Sequence, residues 1–523
     1  MNSLFIAILA IIFFFLAYRF YARKLEALWQ IDPNLKTPAH TKYDKVDYVP
    51  AKNRLVLFGH HFASIAGAGP IIGPVIAVML WGWLPALLWV VLGAIFIGGV
   101  HDFGSLITSV REGGSSVADI AQHVISRRAK IIFSMFVWLA LILVIAVFAY
   151  LCADTFVREP KIVFPSLGLI PVAVLVGYLL YYRRVNSVLA TVFGLVALLN
   201  LFFLGDMLPI KSSLNFWIFI LFVYCYFASI LPVNILLQPR DYLSSFLLFF
   251  GVGAGYIGLV FSRPNINSAC FRFNASEGFL WPALFVTVAC GAVSGFHALI
   301  ASGTSSKQIA NEGDAKKIGY GGMLAEGVVA VLAIIAVASL LSSTKDFKGV
   351  DTIGIFGKGY GLITRHILGK NGPFIAIVIL NAFILTTLDT AARISRYLTE
   401  ELFKIKNRYL STLLIIILSA CLAYSGKGNR IWPVFGASNQ LVAALALFVI
   451  SSWLLAKNKS IRFTIWPAFF MLITAVFALI LQSVKYLRQK DLALFIITVI
   501  LVILAGFMVY EVMPLVFRRR AHS

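Results

Sequence analysis

Charge is scarce in this chain, and acid is scarcer than base. Only 13% of the 523 residues are Asp, Glu, Lys or Arg, and 22 acidic residues face 44 basic ones for a formal charge of +22. A charge share about half that of an ordinary soluble domain excludes a soluble globule, and 60% apolar residues with a mean hydropathy of +0.91 exclude a disordered chain. Cysteine is rare as well. The five, Cys152, Cys225, Cys270, Cys290 and Cys421, show no CxxC spacing, which removes redox and zinc-finger readings, and most lie in apolar runs where cysteine acts as a small hydrophobe. No HExxH motif and no Ser, His and Asp constellation is present, so an enzyme is not expected. No polar stretch is long enough for a soluble domain, which leaves a nutrient sensor without an output module. Basic residues do not precede the first apolar run. Arg19, Arg23 and Lys24 follow it, so a retained helix is expected there, not a cleaved signal peptide.

What fills the chain is apolar runs of bilayer-spanning length. Spans are predicted near residues 1–20, 54–80, 84–108, 131–152, 166–182, 187–208, 213–236, 243–261, 279–302, 321–342, 372–391, 409–425, 431–456, 463–484 and 491–514. These fifteen make an all-α polytopic membrane protein. With the N-terminus outside, the inner segments carry about twice as many Lys and Arg as the outer ones, which puts the C-terminal Arg518, Arg519 and Arg520 in the cytoplasm. The basic excess is thus a matter of topology, and no nucleic-acid partner is expected; the lipid bilayer is. Trp81 with Trp83, and Tyr181 with Tyr182, fit interfacial aromatic belts. The longest connections, 21–53 and 343–371, are predicted to hold surface helices.

Residues 59–74, GHHFASIAGAGPIIGP, interrupt an apolar run with Gly67, Gly69, Pro70 and Gly73. Proline lacks an N–H and displaces the carbonyl four residues back, so Pro70 and Pro74 free the carbonyls of Ala66 and Pro70. Such backbone survives at membrane depth only where protein or a polar cavity meets it, as in the broken helices of secondary transporters. A second break is predicted in LPVNILLQPRD, residues 231–241, where Pro232 and Pro239 free the carbonyls of Ala228 and Ile235. Glycines recur in the next helix of each set: Gly93, Gly98 and Gly99 in one, Gly251, Gly253, Gly255 and Gly258 in the other. Ten spans from 54 to 391 then divide into two sets of five, and because five is odd the sets are inverted. The expected architecture is a 5+5 inverted-repeat core at 54–391, an N-terminal helix and basic segment at 1–53, and additional helices at 392–523.

Ionisable residues inside spans mark pathways or partnered pairs. His60 and His61 precede the first break, His101 and Asp102 end the third span, and His297, Glu326 and Asp389 lie within later ones. Cys290, Ser294, His297, Ala301 and Thr304 recur at spacings of four and three, which places them on one face of a helix. His297 is expected to carry a proton or donate to a substrate, since imidazole titrates near physiological pH. Glu326 is the expected protonatable carboxylate, Asp102 is expected to order Ser105 and Arg111, and Asp389 is expected to pair with Arg393 four residues on. Adjacent histidines project about 100° apart on a helix, so His60 and His61 do not suit one ion and no metal is expected.

Six motifs in order, FGHHFASIAGAGPIIGPVIA, GGVHDFGSLITSVREGGSS, LQPRDYL, CGAVSGFHALIASGTSSKQIANEGDAKKIGYGGMLAEG, LNAFILTTLDTAARISRYLTEEL and IWPVFGASNQLVAALAL, resemble the carbon starvation protein A (CstA) family from about residue 50 to 456. The resemblance implies an importer of the bacterial inner membrane used in nutrient limitation, for peptides in some members and for pyruvate, with protons, in others. It also implies a LeuT/APC-like fold, that of the amino acid, polyamine and organocation transporters. Longer members carry further C-terminal spans, but every motif is present here and transport is expected to be retained. The expected function is a proton-coupled importer of peptides, with pyruvate symport and a transport-free sensor as alternatives. No organic cofactor is expected. Substrate is placed at Gly67, Ala68, Gly69, Pro70, Asn234, Ser294 and His297, where half-helix N-termini offer N–H groups to a carboxylate. Coupling is placed at His60, His61, Asp102, His297, Glu326 and Asp389. For sodium, the alternative ion, the related fold implies Ala66 or Gly67 against Ser302 and Thr304.

Overall fold

The computed structural model describes residues 2–44, 47–51, 54–183, 185–231, 236–341, 352–425 and 428–518. Among them eleven helical stretches are long and apolar enough to cross a bilayer, or twelve when the bent pair Arg54–Ile65 and Gly69–Trp81, 44° apart, counts as one span. The difference from the expected fifteen lies in three places. Leu214–Ile230 and Arg408–Tyr424 are apolar but have only 17 residues each. The run at 279–302 is cut into Leu280–Thr287 and Gly295–Gly303.

Helix ends follow local chemistry. The Ser126 hydroxyl accepts from the Ala129 N–H at the start of Arg127–Arg158, and Asn407 accepts from Tyr409 and Leu410 at the start of Arg408–Tyr424. Gly82, with φ +95°, turns the chain between Trp81 and Trp83, a conformation side-chain-bearing residues rarely adopt. Burial then sorts the helices. Arg430–Ala456 is 89% buried over its most apolar window and Glu312–Leu340 is 83% buried, whereas Val188–Met207 and Leu492–Pro514 are 28% buried. The first two are central; the last two present apolar side chains outward, to lipid.

The centre is built from close backbone contact. Helix 127–158 packs along Gly372–Phe403 and against helix 428–456. Helix 69–81 packs on Gly321–Leu340, and Gly295–Gly303 packs on Gly99–Arg111. Glycines set these distances: a Cβ on Gly436 would collide with the Val286 carbonyl oxygen, and one on Gly73 would come within 2.6 Å of that of Thr287. The helix Thr352–Leu368, expected on the surface, buries Ile355, Phe356, Tyr360 and Ile363 against helices 237–262 and 372–403, because its apolar positions recur on one face.

The N-terminal helical stretch Ser3–Trp29 ends against Arg111 of helix 99–111. The Arg111 guanidinium donates to the Trp29 and Gln30 carbonyls at 2.9 and 2.6 Å and to Glu312 at 2.5 Å, satisfying carbonyls that a helix end leaves unpaired. Gly436→Val is expected to wedge helix 428–456 away from Leu280–Thr287 and to cost about 1–3 kcal/mol. Its melting temperature in detergent, several degrees below that of the parent, is the check.

Candidate functional site

The first helix is interrupted at 66–68, as expected, and its two halves flank a stretch in which the Gly67 N–H donates to the Ile65 carbonyl. Pro70 falls in the first turn of Gly69–Trp81, where a missing N–H costs nothing. An interruption that packs directly against it lies at 288–294, between Leu280–Thr287 and Gly295–Gly303, with Gly291 at φ +86°. Of the break predicted at 231–241, residues 232–235, Asn234 among them, lie outside the described residues. The predicted partner break was placed by its prolines; the observed one has none and depends on Gly291.

Every broken backbone needs other partners, and they can be named. Thr386 reaches the Ala63 carbonyl at 3.3 Å, Trp89 Nε1 donates to the Val288 carbonyl at 3.2 Å, and Gln440 donates to the Phe285 carbonyl. Asn439 accepts from the Phe296 N–H at 2.9 Å while its amide donates to Ser294 Oγ at 2.9 Å, pinning the start of the second half-helix. The two breaks touch directly. Gly69 lies against Cys290, where any Cβ would fall 2.5 Å from the sulfur, and Gly291 lies against Pro70. Between them is a cavity of about 10 Å³ lined by Ile65, Gly67, Gly69, Cys290, Thr387 and the rings of Phe148, Phe296 and Phe435. That is room for about one water. Ala68 is buried beside it.

Two polar clusters are buried inside the helix bundle. In the first, His297 Nδ1 is 2.8 Å from Asp102 Oδ2, His101 Nδ1 is 2.7 Å from Asp102 Oδ1, and His297 Nε2 is 3.4 Å from Glu326, all fully buried. Ile65 and Gly291, one beside each break, border His297 and Glu326 through backbone groups. Cys290 Sγ, His297 Nε2 and a Glu326 oxygen also lie within 4.8 Å of one another. That is close enough for a shared ion, though the sequence spacing 290, 297, 326 gave no sign of it. Asp102 is thus a buried partner of two imidazoles, and the expected link to Ser105 and Arg111 is replaced: Arg111 serves Glu312.

In the second cluster, Asp389 pairs with Arg240, and both bond to the Tyr224 hydroxyl. The expected partner Arg393 turns instead to the carbonyls of Ala228 and Leu231, so the Ala228 carbonyl does not face the cavity. His60 Nδ1 approaches Asp241 Oδ2 at 3.2 Å without an aligned hydrogen bond, and His61 Nδ1 meets Ser305 Oγ at 2.8 Å. The Ser302 and Thr304 hydroxyls donate to the Ala298 and Ile300 carbonyls of their own helix. The Thr386 hydroxyl reaches the Ala63 carbonyl, and Thr387 lies against Gly67 of the first break. Arg240, Asp241, Thr387 and Asn439 were missed because each acts across more than a hundred residues of sequence. Asn439→Ala, which orphans the Phe296 N–H and Ser294, is expected to cost about 1–3 kcal/mol, seen as a lowered melting temperature.

Three comparisons bear on this site. The family model described as "Carbon starvation protein CstA" matches residues 2–359 and 352–478. The chain is 29% identical to the peptide transporter CstA of Campylobacter jejuni over 94% of this chain and 82% of that one. It is 30% identical to the pyruvate/proton symporter BtsT of Escherichia coli over 91% of this chain and 81% of that one. It is also 30% identical to the peptide transporter CstA of Bacillus subtilis, over 91% and 90%. Among solved structures, a mutant of the manganese transporter from Eremococcus coleocola superposes with a TM-score of 0.56 at 12% identity, covering 91% of this chain and 99% of that one, a likeness of fold alone.

Proposed function

The chain belongs to the carbon starvation protein CstA family, and from that premise we propose that it is a proton-coupled secondary transporter that imports peptides across the bacterial inner membrane during carbon starvation. One arrangement carries the proposal: two helices interrupted side by side, at 66–68 and 288–294, around a closed cavity. A site at the midplane between broken helices is the usual design of secondary transporters, and a closed one has to open alternately to each side. The start of helix 69–81 has no side-chain cap; Pro70 has no N–H and those of Ile71 and Ile72 turn back to the Ala68 carbonyl, so it is the positive dipole end, with Gly69 at its tip, that would attract a substrate carboxylate. Pyruvate is the second reading, favoured by the three phenylalanines that wall so small a cavity; a dipeptide demands a much wider opening.

We read the fold as fifteen spans around two inverted sets of five, but redraw the core expected at 54–391 as 54–262 and 280–456, with the hairpin 160–207 inserted in the first set and helices 408–424 and 428–456 moved into the second. Supporting this, each set runs in the same order: a broken helix, a long helix, a short helix (Val117–Val124 and Thr352–Leu368), a buried helix, a 17-residue helix and a closing long helix. Packing is exchanged between the sets as well. Helix 127–158 lies on 428–456 as 372–403 lies on 237–262, and 214–230 meets 408–424 between them. The charge bias places the N-terminus outside and the C-terminus in the cytoplasm. No catalytic step is assigned.

His297, held between Asp102 and Glu326, is the proposed proton carrier, with the substrate binding one helix turn from it. A proton there neutralises part of a doubly acidic, dry cluster, so its arrival and departure change the balance between the two open states. Sodium remains the alternative ion, for which the Thr386 and Thr387 hydroxyls and the Ala63 carbonyl supply oxygen beside the first break, in addition to the expected Ser302 and Thr304.

Proteoliposomes given an inward proton gradient are expected to accumulate a labelled dipeptide or labelled pyruvate, with or without sodium, and to lose it on adding a protonophore. Uptake that needs sodium, or none of either compound, would overturn the coupling or the substrate class. His297→Ala is expected to abolish accumulation while eluting as a folded protein; proton-driven uptake at the parent rate removes His297 from the mechanism. Gly69→Leu, which fills the contact with Cys290, is expected to abolish substrate binding, measured by equilibrium dialysis.

A further inference from the structure

The half-helix Arg54–Ile65 ends at the cavity, where Ile65 forms part of the wall, yet its polar residues face away from it. His60 approaches Asp241 at 3.2 Å, the Ser64 hydroxyl lies 3.5 Å from the same carboxylate oxygen, and Gln308 stands 3.5 Å from the far nitrogen of His60. This seam is buried but incompletely satisfied: Asp241 Oδ1 and His60 Nδ1 have no aligned hydrogen-bond partner. Buried polar groups in that condition gain from water, so the seam favours opening more than a dry one does.

The opposite side of the cavity is closed differently. Gly69 sits on Cys290, Gly73 on Thr287 and Gly436 on Val286, and among the described residues no ion pair joins helix 69–81 to Leu280–Thr287 or to helix 428–456. One side is a zipped contact of small residues; the other is a charged seam. The seam also has a fixed and a movable half. Next to Asp241, Arg240 is bound to Asp389 of helix 372–403 and to Tyr224 of helix 214–230, which ties helix 237–262 into the bundle. The 12-residue half-helix 54–65 has a ready hinge at 66–68.

We propose that His60 and Asp241 are the inner latch of this transporter, positioning residues whose contact holds half-helix 54–65 against helix 237–262 and whose parting opens the cavity to the cytoplasm. The inference rests on the orientation and alternating access given under Proposed function. Its test, however, does not depend on the identity of the substrate.

Cys290 in the cavity wall is a built-in reporter. In the full chain with Cys152, Cys225, Cys270 and Cys421 replaced by Ala, its reaction with a membrane-impermeant maleimide is timed in inside-out and right-side-out vesicles. His60→Gln or Asp241→Asn is expected to raise the labelling rate from the cytoplasmic face by about tenfold, the low end for losing one polar contact to a charged group, with no rise from the other face. The swap His60→Asp with Asp241→His is expected to return the rate toward that of the parent. An unchanged rate, an equal rise from both faces, or a rise from the periplasmic face alone would overturn the latch. Should the single variants fail to fold, His60→Cys with Asp241→Cys, in a chain otherwise free of cysteine, is bridged by a short bifunctional thiosulfonate. The bridge is expected to stop uptake until reduced; uptake that continues while bridged overturns the proposal. Loss of uptake in the parent would count against the transport reading, whereas labelling still reports on the latch.

Discussion

A backbone interrupted in hydrocarbon has to find partners for every N–H and carbonyl it releases. Most of what surrounds residues 66–68 and 288–294 answers that demand. Thr386, Trp89, Gln440 and Asn439 each meet a group that a continuous helix would have satisfied internally, and they reach it from three other helices. Those helices are thereby committed to fixed positions around the breaks, and the glycines at 69, 73, 291 and 436 allow the close approach this takes. The cavity is a by-product of the same geometry: two helices that bend away from one another at one level leave a space that their neighbours do not fill.

The buried charges obey a related rule. Four buried ion pairs near the breaks join separate helices, Asp102 with His297, Glu326 with His297, Arg240 with Asp389 and His60 with Asp241, while His101 pairs with Asp102 beside it on the same helix. Desolvating such groups costs several kcal/mol each, and attraction across a low-dielectric interior recovers that cost only where the geometry is good. The His297–Asp102 contact meets this condition with a hydrogen bond of 2.8 Å, whereas His297 Nε2, both Glu326 oxygens, His60 Nδ1 and Asp241 Oδ1 have no aligned partner. The His297–Asp102 contact and the His60–Asp241 contact therefore differ in how readily they come apart.

Local rules read the sequence well where structure is local. The break at 66–68 follows from Gly67, Gly69 and Pro70, and the buried polar set of His60, His61, Asp102, His297, Glu326 and Asp389 stands out as charge within apolar runs. The same rules fail where a partner is distant. Proline drew the second break to 231–241, although Gly291 and the capping side chain of Asn439, 148 residues beyond Gly291, make the break that packs on the first. Helical spacing linked Cys290 and Ser294 to His297, Ala301 and Thr304 as one face, but the interruption at 288–294 leaves Cys290 and Ser294 ahead of the helix that carries His297 and Ala301, so the phase does not run through them. An Asp and an Arg four residues apart suggest a pair, yet Asp389 found a buried guanidinium on another helix and left Arg393 to cap carbonyls.

The Arg240–Asp389 pair has a consequence for how the protein is made. The two residues are 149 positions apart, so the ribosome delivers the cation long before the anion. Until helix 372–403 enters the bilayer, the segment that begins at residue 237 holds its guanidinium without the Asp389 partner and with only the adjacent Asp241 to offset it, at up to about 2.5–3.5 kcal/mol if it sits at mid-membrane. Insertion of that segment is then held in a provisional state, shallow or still sheltered by the insertion machinery, and becomes final when its counter-charge arrives. Chains that stall between the two helices leave a charged segment that membrane quality control can recognise.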